Sequence, residues 1–233
     1  MTFTRSDNNL EMKKIIDISI LIGIFLVVAL CDANAQISPN PSSSAKEYVS
    51  LGEALKNPSD VYRLNLSDQN FKELSDSIWS KFENLEYLSL KNDHLKEIPA
   101  GIGNLKNLQV LDLSNNDFTV LPESFSRLEN LKELYLNGEK KMDFNQSLRA
   151  IKDLPNLKIL HLENDNLESI PKGLLEFTQL EALYLNNNNF NEIPVELENL
   201  KNLNYIDFND NQFKFNTQDF QSPFTRPGIT IDF

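Results

Sequence analysis

Cysteine is almost absent from this chain of 233 residues, and Cys31 is the only one. A single thiol cannot form an intramolecular disulfide, so packing and hydrogen bonds must hold the fold together. The chain also has only two histidines, His94 and His161, and contains neither a GxxxxGK[ST] phosphate loop nor an HExxH zinc motif. We therefore expect no intrinsic catalysis, no cofactor and no metal site.

Basic residues are few compared with acidic ones. The sequence has 22 lysines and arginines against 34 aspartates and glutamates, which gives a formal net charge of −12. A protein of this charge is repelled by phosphate backbones and by anionic bilayers. Nucleic acids and membrane surfaces are therefore not expected among its partners.

Long hydrophobic runs are missing, apart from one stretch near the amino terminus. Lys13 and Lys14 precede an uncharged run at 18–31, and the sequence Ala-Asn-Ala follows at 33–35. The run is shorter than the roughly 20 apolar residues that a spanning helix needs. The order of basic, apolar and small residues is instead typical of a secretory signal peptide.

This segment predicts export of the protein to the periplasm, the cell surface or the medium. We assign residues 1–35 to the signal peptide, with Met12 as a candidate true start, and expect no integral membrane span in the mature protein. An alternative is a lipid anchor at Cys31, although Leu30 before it is larger than the residue that usually precedes a lipidated cysteine. A Ser- and Pro-rich tether follows at 36–47.

What the sequence does contain is a repeat. A frame of the form LxxLxLxxNxL begins near residues 61, 85, 108, 131, 157, 180 and 203, so that the period is 23 to 26 residues. In the copy that starts at Leu108, Leu111 and Leu113 lie two apart and share one face of a short strand, while Asp112 points the other way. A fixed period of this length predicts a solenoid.

The repeat at 61–215 resembles the leucine-rich repeat family, in particular the 23-residue class of secreted bacterial proteins. The resemblance implies an α/β fold, a right-handed solenoid or horseshoe. Its parallel concave β-sheet would be backed by short 3₁₀, helical or extended convex segments. It also implies a monomeric module that binds a protein partner, such as a host or cell-surface protein. The alternatives are a surface adhesion component and a carbohydrate-binding receptor.

Caps are predicted at both ends of the repeats. Residues 48–60 form an amino-terminal helical cap, because Ser50 and Glu53 have the spacing of a capping box. Residues 216–233 form a carboxy-terminal cap, in which the alternating Ile229, Ile231 and Phe233 predict a last strand.

Individual repeats carry further local predictions. The longest copy has Leu148, Ile151 and Leu154 spaced by three, which predicts a helical turn on the convex wall, capped by Asn145. Trp79 is expected to pack in the wall of the first repeat rather than bind a ligand. Prolines at four equivalent positions favour short 3₁₀ or extended returns, namely Pro99, Pro122, Pro171 and Pro194.

The turn position of the repeat forms a column of inward polar side chains, Asp93, Asn116, Glu139, Asp165, Asn188 and Asn211. An asparagine there can donate to and accept from buried backbone groups, whereas a carboxylate only accepts, so the acidic turns should lose the donor half of this network. A cation site is the alternative. Side chains that face a packed core cannot gather around one ion, so we interpret the column as structural.

A candidate binding site lies among the outward strand positions. The position between the two strand leucines runs Asn65, Ser89, Asp112, Tyr135, His161, Tyr184 and Asp207. Three rings therefore lie in adjacent repeats, and we predict Tyr135, His161 and Tyr184 as the contact centre of the concave face. Neighbouring positions add the remaining predicted site residues, Ile159, Tyr205, Lys132 and Lys158. If the charge of His161 matters, binding should change between about pH 5 and 7.

Overall fold

The computed structural model describes residues 45–71, 73–214, 224 and 227–233. The predicted signal peptide, most of the tether and much of the predicted carboxy-terminal cap lie outside the described residues. No helix in the described ranges has the length and hydropathy needed to cross a bilayer.

Nine short strands form one sheet in which every neighbouring pair is parallel and the strands follow chain order. The strands are β1 (Glu47–Tyr48), β2 (Arg63–Asn65), β3 (Tyr87–Ser89), β4 (Val110–Asp112), β5 (Glu133–Tyr135), β6 (Ile159–His161), β7 (Ala182–Tyr184), β8 (Tyr205–Asp207) and β9 (Thr230–Asp232). One strand per repeat in parallel register confirms the predicted α/β solenoid.

The middle residue of each repeat strand points into the core because side chains alternate between the two faces of a strand. These residues are fully buried and adjacent in register: Leu64, Leu88, Leu111, Leu134, Leu160, Leu183 and Ile206. The first and third residues of β2 to β8 point to the opposite side of the sheet, which we call the open face. The repeat period therefore aligns equivalent open-face residues in columns across the strands.

Short 3₁₀ helices return the chain between strands on the other side of the core. They lie at Pro58–Asp60, Asp76–Lys81, Ala100–Asn104, Glu123–Arg127, Lys172–Glu176 and Val195–Asn199. A proline directly precedes each of the last four, Pro99, Pro122, Pro171 and Pro194. The predicted 3₁₀ returns are therefore confirmed, and each proline occupies the N-cap position, where the helix needs no backbone N–H from it.

Trp79 is buried in the first of the long 3₁₀ helices, as predicted. Its side chain is 0% exposed, and its ring centroid lies 6.4 Å from that of Phe82. An indole buried in this way contributes apolar contact area to the wall of the solenoid and is not available to a ligand.

The irregular repeat contains an α-helix, α2 (Phe144–Arg149), as its hydrophobic spacing predicts. Leu148 and Ile151 are fully buried. The predicted cap at Asn145 is wrong, because Asp143 is the N-cap and its Oδ1 accepts a hydrogen bond of 2.9 Å from the backbone N–H of Gln146. Asp143 lies three residues before that amide, which is the spacing a capping side chain needs.

At the amino-terminal end, Ser50 caps helix α1 (Leu51–Ala54) and accepts a hydrogen bond from the Glu53 amide at 3.5 Å. The predicted capping box therefore does start a helix. Strand β1 before it was not predicted, and Glu47, which the sequence analysis assigned to the tether, pairs with Arg63 of β2. Two residues are too few to show strand alternation, and β1 forms only because β2 offers an unpaired edge.

At the other end, β9 pairs with β8 and adds a further strand to the sheet, as the alternation of Ile229, Ile231 and Phe233 predicts. Ile231 continues the column of inward residues beside Ile206. Residues with no repeat motif of their own thus extend the sheet beyond β8.

The turn asparagines bond to backbone groups of adjacent coils. Asn116 Nδ2 donates to the carbonyls of Leu90 at 2.9 Å and Leu113 at 2.6 Å. Its Oδ1 accepts from the amides of Asp93 at 3.2 Å and Leu95 at 3.0 Å. Asn188 forms an equivalent set of bonds. These amides satisfy buried backbone groups that would otherwise lack partners.

Candidate functional site

The predicted site residues lie together on the open face. Register pairing places Asp112, Tyr135, His161, Tyr184 and Asp207 side by side on β4 to β8. The parallel column, two residues earlier on each strand, contains Glu133, Ile159, Ala182 and Tyr205. Neighbouring parallel strands are about 4.8 Å apart, so side chains in adjacent repeats are in contact range.

Four rings of these two columns pack against one another, and we call them the ring stack: Tyr135, His161, Tyr184 and Tyr205. The centroids of Tyr135 and His161 lie 3.9 Å apart with planes inclined by 12°, and those of His161 and Tyr184 lie 4.2 Å apart with an inclination of 8°. Tyr205 lies 5.3 Å from Tyr184 and is tilted by 52°. The imidazole is thus held between two nearly parallel phenol rings.

Two glutamates bracket the imidazole edge. His161 Nε2 lies 3.0 Å from Glu133 Oε1, and His161 Nδ1 lies 3.3 Å from Glu163 Oε2. Burial alone would lower the pKa of His161, but the hydrogen bonds and charges of the two glutamates outweigh it and raise that pKa above its usual value. His161 is therefore a cation over a wider pH range than a free imidazole, and both ring nitrogens donate to carboxylates.

Each of the two glutamates has a further hydrogen bond. The Tyr135 hydroxyl donates to Glu133 Oε1 at 2.6 Å. Asn137 Nδ2 donates to Glu163 Oε2, while Asn137 Oδ1 accepts from the Glu163 amide at 3.0 Å. Burial opposes the ionised form of Glu133 and Glu163, but the hydrogen bonds and the cation at His161 prevail, and the pKa of each carboxyl is lowered. This network fixes the orientation of the rings without any ligand.

The structure buries part of the site more deeply than strand alternation predicts. His161 is 7% exposed and Tyr205 is 9% exposed, whereas Tyr135 and Tyr184 are half-buried. The raised pKa of His161 also moves its titration upwards from the ordinary histidine value on which the expected window of pH 5 to 7 rests. Tyr135 and Tyr184 are thus the parts of the ring stack that a partner can reach. The charged ring of His161 lies buried between them.

Lys132 and Lys158 lie at the margin of this surface, one residue before β5 and β6. Lys132 Nζ donates to Gln109 Oε1 at 3.0 Å, and Lys158 Nζ pairs with Glu181 at 3.0 Å. Both lysines bond to the neighbouring coil, and neither contacts the ring stack in these bonds. They belong to the predicted surface but not to its centre.

Sequence reasoning missed the residues that fix the site. Glu133 and Glu163, which pair with His161, and Asp232, which accepts a hydrogen bond of 2.8 Å from the Tyr205 hydroxyl, were not predicted. Glu133 lies two residues before Tyr135 and Glu163 two residues after His161, so the alternation of strand side chains was a usable signal. Alternation also places Asp232 on the open face, because it lies between Ile231 and Phe233, but without a repeat motif there its closeness to Tyr205 could not be read from the sequence.

Two models of leucine-rich repeats match the chain, a "Leucine-rich repeat region" model over residues 61–144 and a "Leucine rich repeat" model over residues 150–213. No curated protein sequence matches it significantly. The matched ranges contain strands β2 to β8, which form the open face.

Solved structures also resemble it. An internalin of Listeria monocytogenes is 26% identical with a TM-score of 0.51, and the match covers 67% of this chain and 44% of that one. A leucine-rich repeat protein of Leptospira interrogans is 30% identical with a TM-score of 0.49, and the match covers 72% of this chain and 54% of that one. The Drosophila Toll–Spätzle complex contains a chain that is 18% identical with a TM-score of 0.57, at 65% and 20% coverage.

This chain thus spans about half or less of the length of these three proteins. The internalin match and both repeat models agree with one strand per coil, the inward leucines and the asparagine turns described above. On that combined evidence, the chain belongs to the leucine-rich repeat family.

Proposed function

We propose that this domain binds a protein partner through the open face of its sheet, with Tyr135 and Tyr184 as the central contacts. A leucine-rich repeat domain is typically a protein-binding module without catalytic activity. The observation that carries the proposal is the ring stack, whose rings are fixed in place before any partner arrives. Rigid tyrosines lose little conformational entropy on binding, which makes them effective interface centres.

The best test replaces the two reachable tyrosines and keeps the buried cation. In the double variant Tyr135→Ala and Tyr184→Ala, His161 retains its bonds to Glu133 and Glu163. Proteins captured by the immobilised wild-type domain from envelope and extracellular fractions should be depleted at least about tenfold with this variant. Quantitative mass spectrometry measures that depletion.

The matched control is Tyr62→Ala, which removes an exposed tyrosine that is not part of the ring stack. This variant should capture the same proteins as the wild type. Equal capture by the double variant, folded by circular dichroism, would move the binding surface elsewhere, and the exposed loop at Lys140 and Lys141 would be the next surface to test.

A carbohydrate-binding receptor is the alternative that the tyrosines first suggest. Sugar rings stack on open aromatic faces, as cations do. Both faces of His161 are covered, and Tyr184 has rings on both sides. Tyr135 and Tyr205 lie at the two ends of the stack, and each keeps a ring face that no other ring of the stack covers, but Tyr205 is only 9% exposed. The arrangement therefore favours contacts with a protein over stacking with an extended glycan.

We also propose that the protein is exported, on the basis of Lys13, Lys14, the apolar run at 18–31 and the small residues at 33–35. The mature chain should then begin at Gln36. Mass spectrometry of the amino terminus tests this. An amino terminus at a lipidated Cys31 would mean that the exported protein is anchored to a membrane by its lipid. An intact Met1 or Met12 on protein recovered from the envelope or medium would contradict export by this signal.

A further inference from the structure

Two carboxylates of the open face have no basic partner. Asp112 and Asp207 lie at either end of the column that contains Tyr135, His161 and Tyr184. The ion pairs between described residues do not involve either aspartate. Glu133 and Glu163, by contrast, are already paired with His161. Unbalanced negative charge thus remains at both ends of the ring stack.

The ionised form of Asp207 lies in an unfavourable environment that a nearby cation would stabilise. Burial is the main cause that raises its pKa, and the negative charges of Asp232 and Glu163 raise it further. The Asn209 amide and side chain donate to Asp207 Oδ1 at 2.9 and 2.7 Å, so the carboxylate is fixed in place. A bound cation would relieve this repulsion with little reorganisation.

Asp112 lies beside an uncovered aromatic face. Tyr135 stacks on His161 with one face of its ring, and its neighbour on the other side is Asp112 of β4. The Ser114 amide donates to Asp112 Oδ1 at 2.9 Å, which leaves the second oxygen for another group. A ring face next to a carboxylate is a favourable position for a guanidinium or ammonium group.

The same face already holds one cation in this way. The Arg63 guanidinium lies 4.1 Å from the ring centroid of Tyr87 and bonds to Glu47 Oε1 at 3.1 Å. An aromatic ring and a carboxylate thus bind an arginine of the chain itself at the amino-terminal end of the open face. Tyr135 and Asp112 offer the same two groups without an arginine.

Resting on the proposed function, we infer that the partner presents an extended basic segment. One arginine or lysine of that segment binds at Asp112 and Tyr135, a second binds at Asp207, and the residues between them cross the ring stack. Four strand spacings separate the two aspartates, which is roughly 19 Å. An extended chain rises about 3.3 Å per residue, so the two basic residues are about five or six positions apart. The net charge of −12 would attract such a segment over a longer range.

The test uses a random peptide library displayed on phage, with peptides of about twelve residues that can span this distance. It is selected at low salt on the wild-type domain, on the double variant Asp112→Asn and Asp207→Asn, and on the Tyr135→Ala and Tyr184→Ala variant. Asparagine keeps the Oδ1 atoms that accept from Ser114 and Asn209, so the charge is removed without loss of the local fold. Glu129→Gln removes an exposed carboxylate away from the sheet and is the matched control.

We expect the wild type and the control to enrich peptides with two basic residues about five or six positions apart. The double Asp→Asn change should weaken their binding at least about fivefold, and binding to the wild type should weaken as salt is raised. Two results would overturn this inference and leave the proposed function standing. One is enrichment of peptides that need Tyr135 and Tyr184 but have no paired basic residues. The other is equal binding of the peptides to the wild type and to the double Asp→Asn variant. No enrichment over the Tyr135→Ala and Tyr184→Ala variant, or glycan binding alone, would overturn both.

Discussion

At three turns of the solenoid, the inward side chain is a carboxyl group instead of an amide. Asp93 Oδ1 accepts from the amides of Gln69 and Asn70 at 2.6 and 2.9 Å, and Glu139 Oε1 accepts from that of Asn116 at 2.8 Å. Asp165 Oδ1 accepts from the Glu139 amide at 2.5 Å. The second oxygen of each group is buried without a partner. These carboxyl groups thus still accept hydrogen bonds from backbone amides at the turns, as the sequence predicts.

The pKa values of these buried groups are raised. Burial raises the pKa of Glu139 and of Asp165 to about 8, and it raises the pKa of Asp93 as well. A neutral carboxyl group carries an O–H, but the second oxygen of each group has no hydrogen-bond partner, so no counterpart of the donor bonds of Asn116 is formed. The predicted loss of the donor half is therefore confirmed, and desolvation disfavours the ionised form of these groups.

We predict that the stability of the domain falls as pH rises from about 4 to about 8. The folded-state pKa values of Glu139 and Asp165 lie above their unfolded values. The stabilisation from their protonated forms is therefore fully present below the unfolded pKa, and it is lost as pH rises from the unfolded pKa to the folded pKa. Each group contributes at most about 1.4 kcal/mol per pH unit in this range. The double variant Glu139→Gln and Asp165→Asn should flatten the curve.

Urea unfolding at a series of pH values measures this effect. Glu129→Gln is a suitable control because its carboxyl group is exposed, and it should retain the wild-type slope. If the double variant and the wild type lose stability in parallel, Glu139 and Asp165 do not carry their protons in the folded protein.

His161 gives a second prediction with a defined sign. Because Glu133 and Glu163 raise its pKa, its stabilising charge is present below the unfolded value and is lost as pH rises through the folded one. In the double variant Glu133→Gln and Glu163→Gln, the NMR titration midpoint of the His161 ring should fall by at least about one pH unit. Loss of one signal in a His94→Gln variant assigns the two histidines. An unchanged midpoint would mean that the glutamates do not determine the charge of the ring.

At the scale of structural elements, a second column of side-chain amides, besides the turn asparagines, joins neighbouring coils through hydrogen bonds. Side chains just before the strands donate to carbonyls of the preceding coil, each at 2.8 Å: Asn84 to Ser59, Asn107 to Glu83, Asn130 to Lys106, Asn156 to Glu129 and Asn202 to Thr178. The sequence shows this column as clearly as the turn column, yet the sequence analysis did not identify it. Its partners are backbone atoms about one repeat earlier, and only the stacking of coils shows that they are close.

Helix spacing on the returning wall depends on glycine at two positions of the 3₁₀ helix at Ala100–Asn104, and a Cβ atom at Gly103 would lie 2.3 Å from the Ser124 carbonyl oxygen. A Cβ atom at Gly101 would lie 2.1 Å from the Asp76 carbonyl oxygen. Gly173 occupies the equivalent second position of its own 3₁₀ helix, but a Cβ there would meet nothing closer than Leu148 Cβ at 3.4 Å. Residue 101 is therefore restricted by the Asp76 backbone in the helix at Asp76–Lys81, and no backbone atom comes comparably close to residue 173.

We predict that Gly101→Ala lowers the free energy of unfolding by at least about 2 kcal/mol, because backbone atoms have to move apart. Gly173→Ala should change it by less than about 1 kcal/mol. Denaturant titration compares the two variants. Equal effects at both positions would show that the close approach of residue 101 to Asp76 is relieved at little cost.

At the scale of the whole molecule, each coil is completed by its neighbours. The strands pair in chain order from β1 to β9, and the inward leucines form one continuous core. A single repeat buries too little apolar surface to offset its loss of backbone entropy, so the coils stabilise one another. A destabilising substitution in one coil should therefore lower the stability of coils several repeats away.

Trp79 allows this to be measured, since it is the only tryptophan and lies in the first repeat. Leu183→Ala removes a fully buried side chain on β7 and should cost about 3 kcal/mol. If the domain unfolds as one unit, the fluorescence midpoint of Trp79 shifts together with the circular dichroism signal. Val195→Ala, at a side chain that is 53% exposed, should shift neither. A shift in dichroism without one in fluorescence would contradict cooperative unfolding.

The sequence by itself determined the number of coils, the direction of the strands and the columns of the open face. Those features follow from two periods, the two-residue alternation of a strand and the repeat of about 23 residues, and both are fixed along the chain. Tyr135, His161 and Tyr184 could be placed in adjacent coils for that reason.

Only the tertiary structure decided how those side chains behave. Four features depend on distances between coils: the burial of His161 between two tyrosines, its pairing with Glu133 and Glu163, the raised pKa values of Glu139 and Asp165, and the contact that restricts Gly101. Solvent exposure and pKa are set by every group that surrounds a side chain in space, and most of those groups come from coils that lie more than twenty residues away.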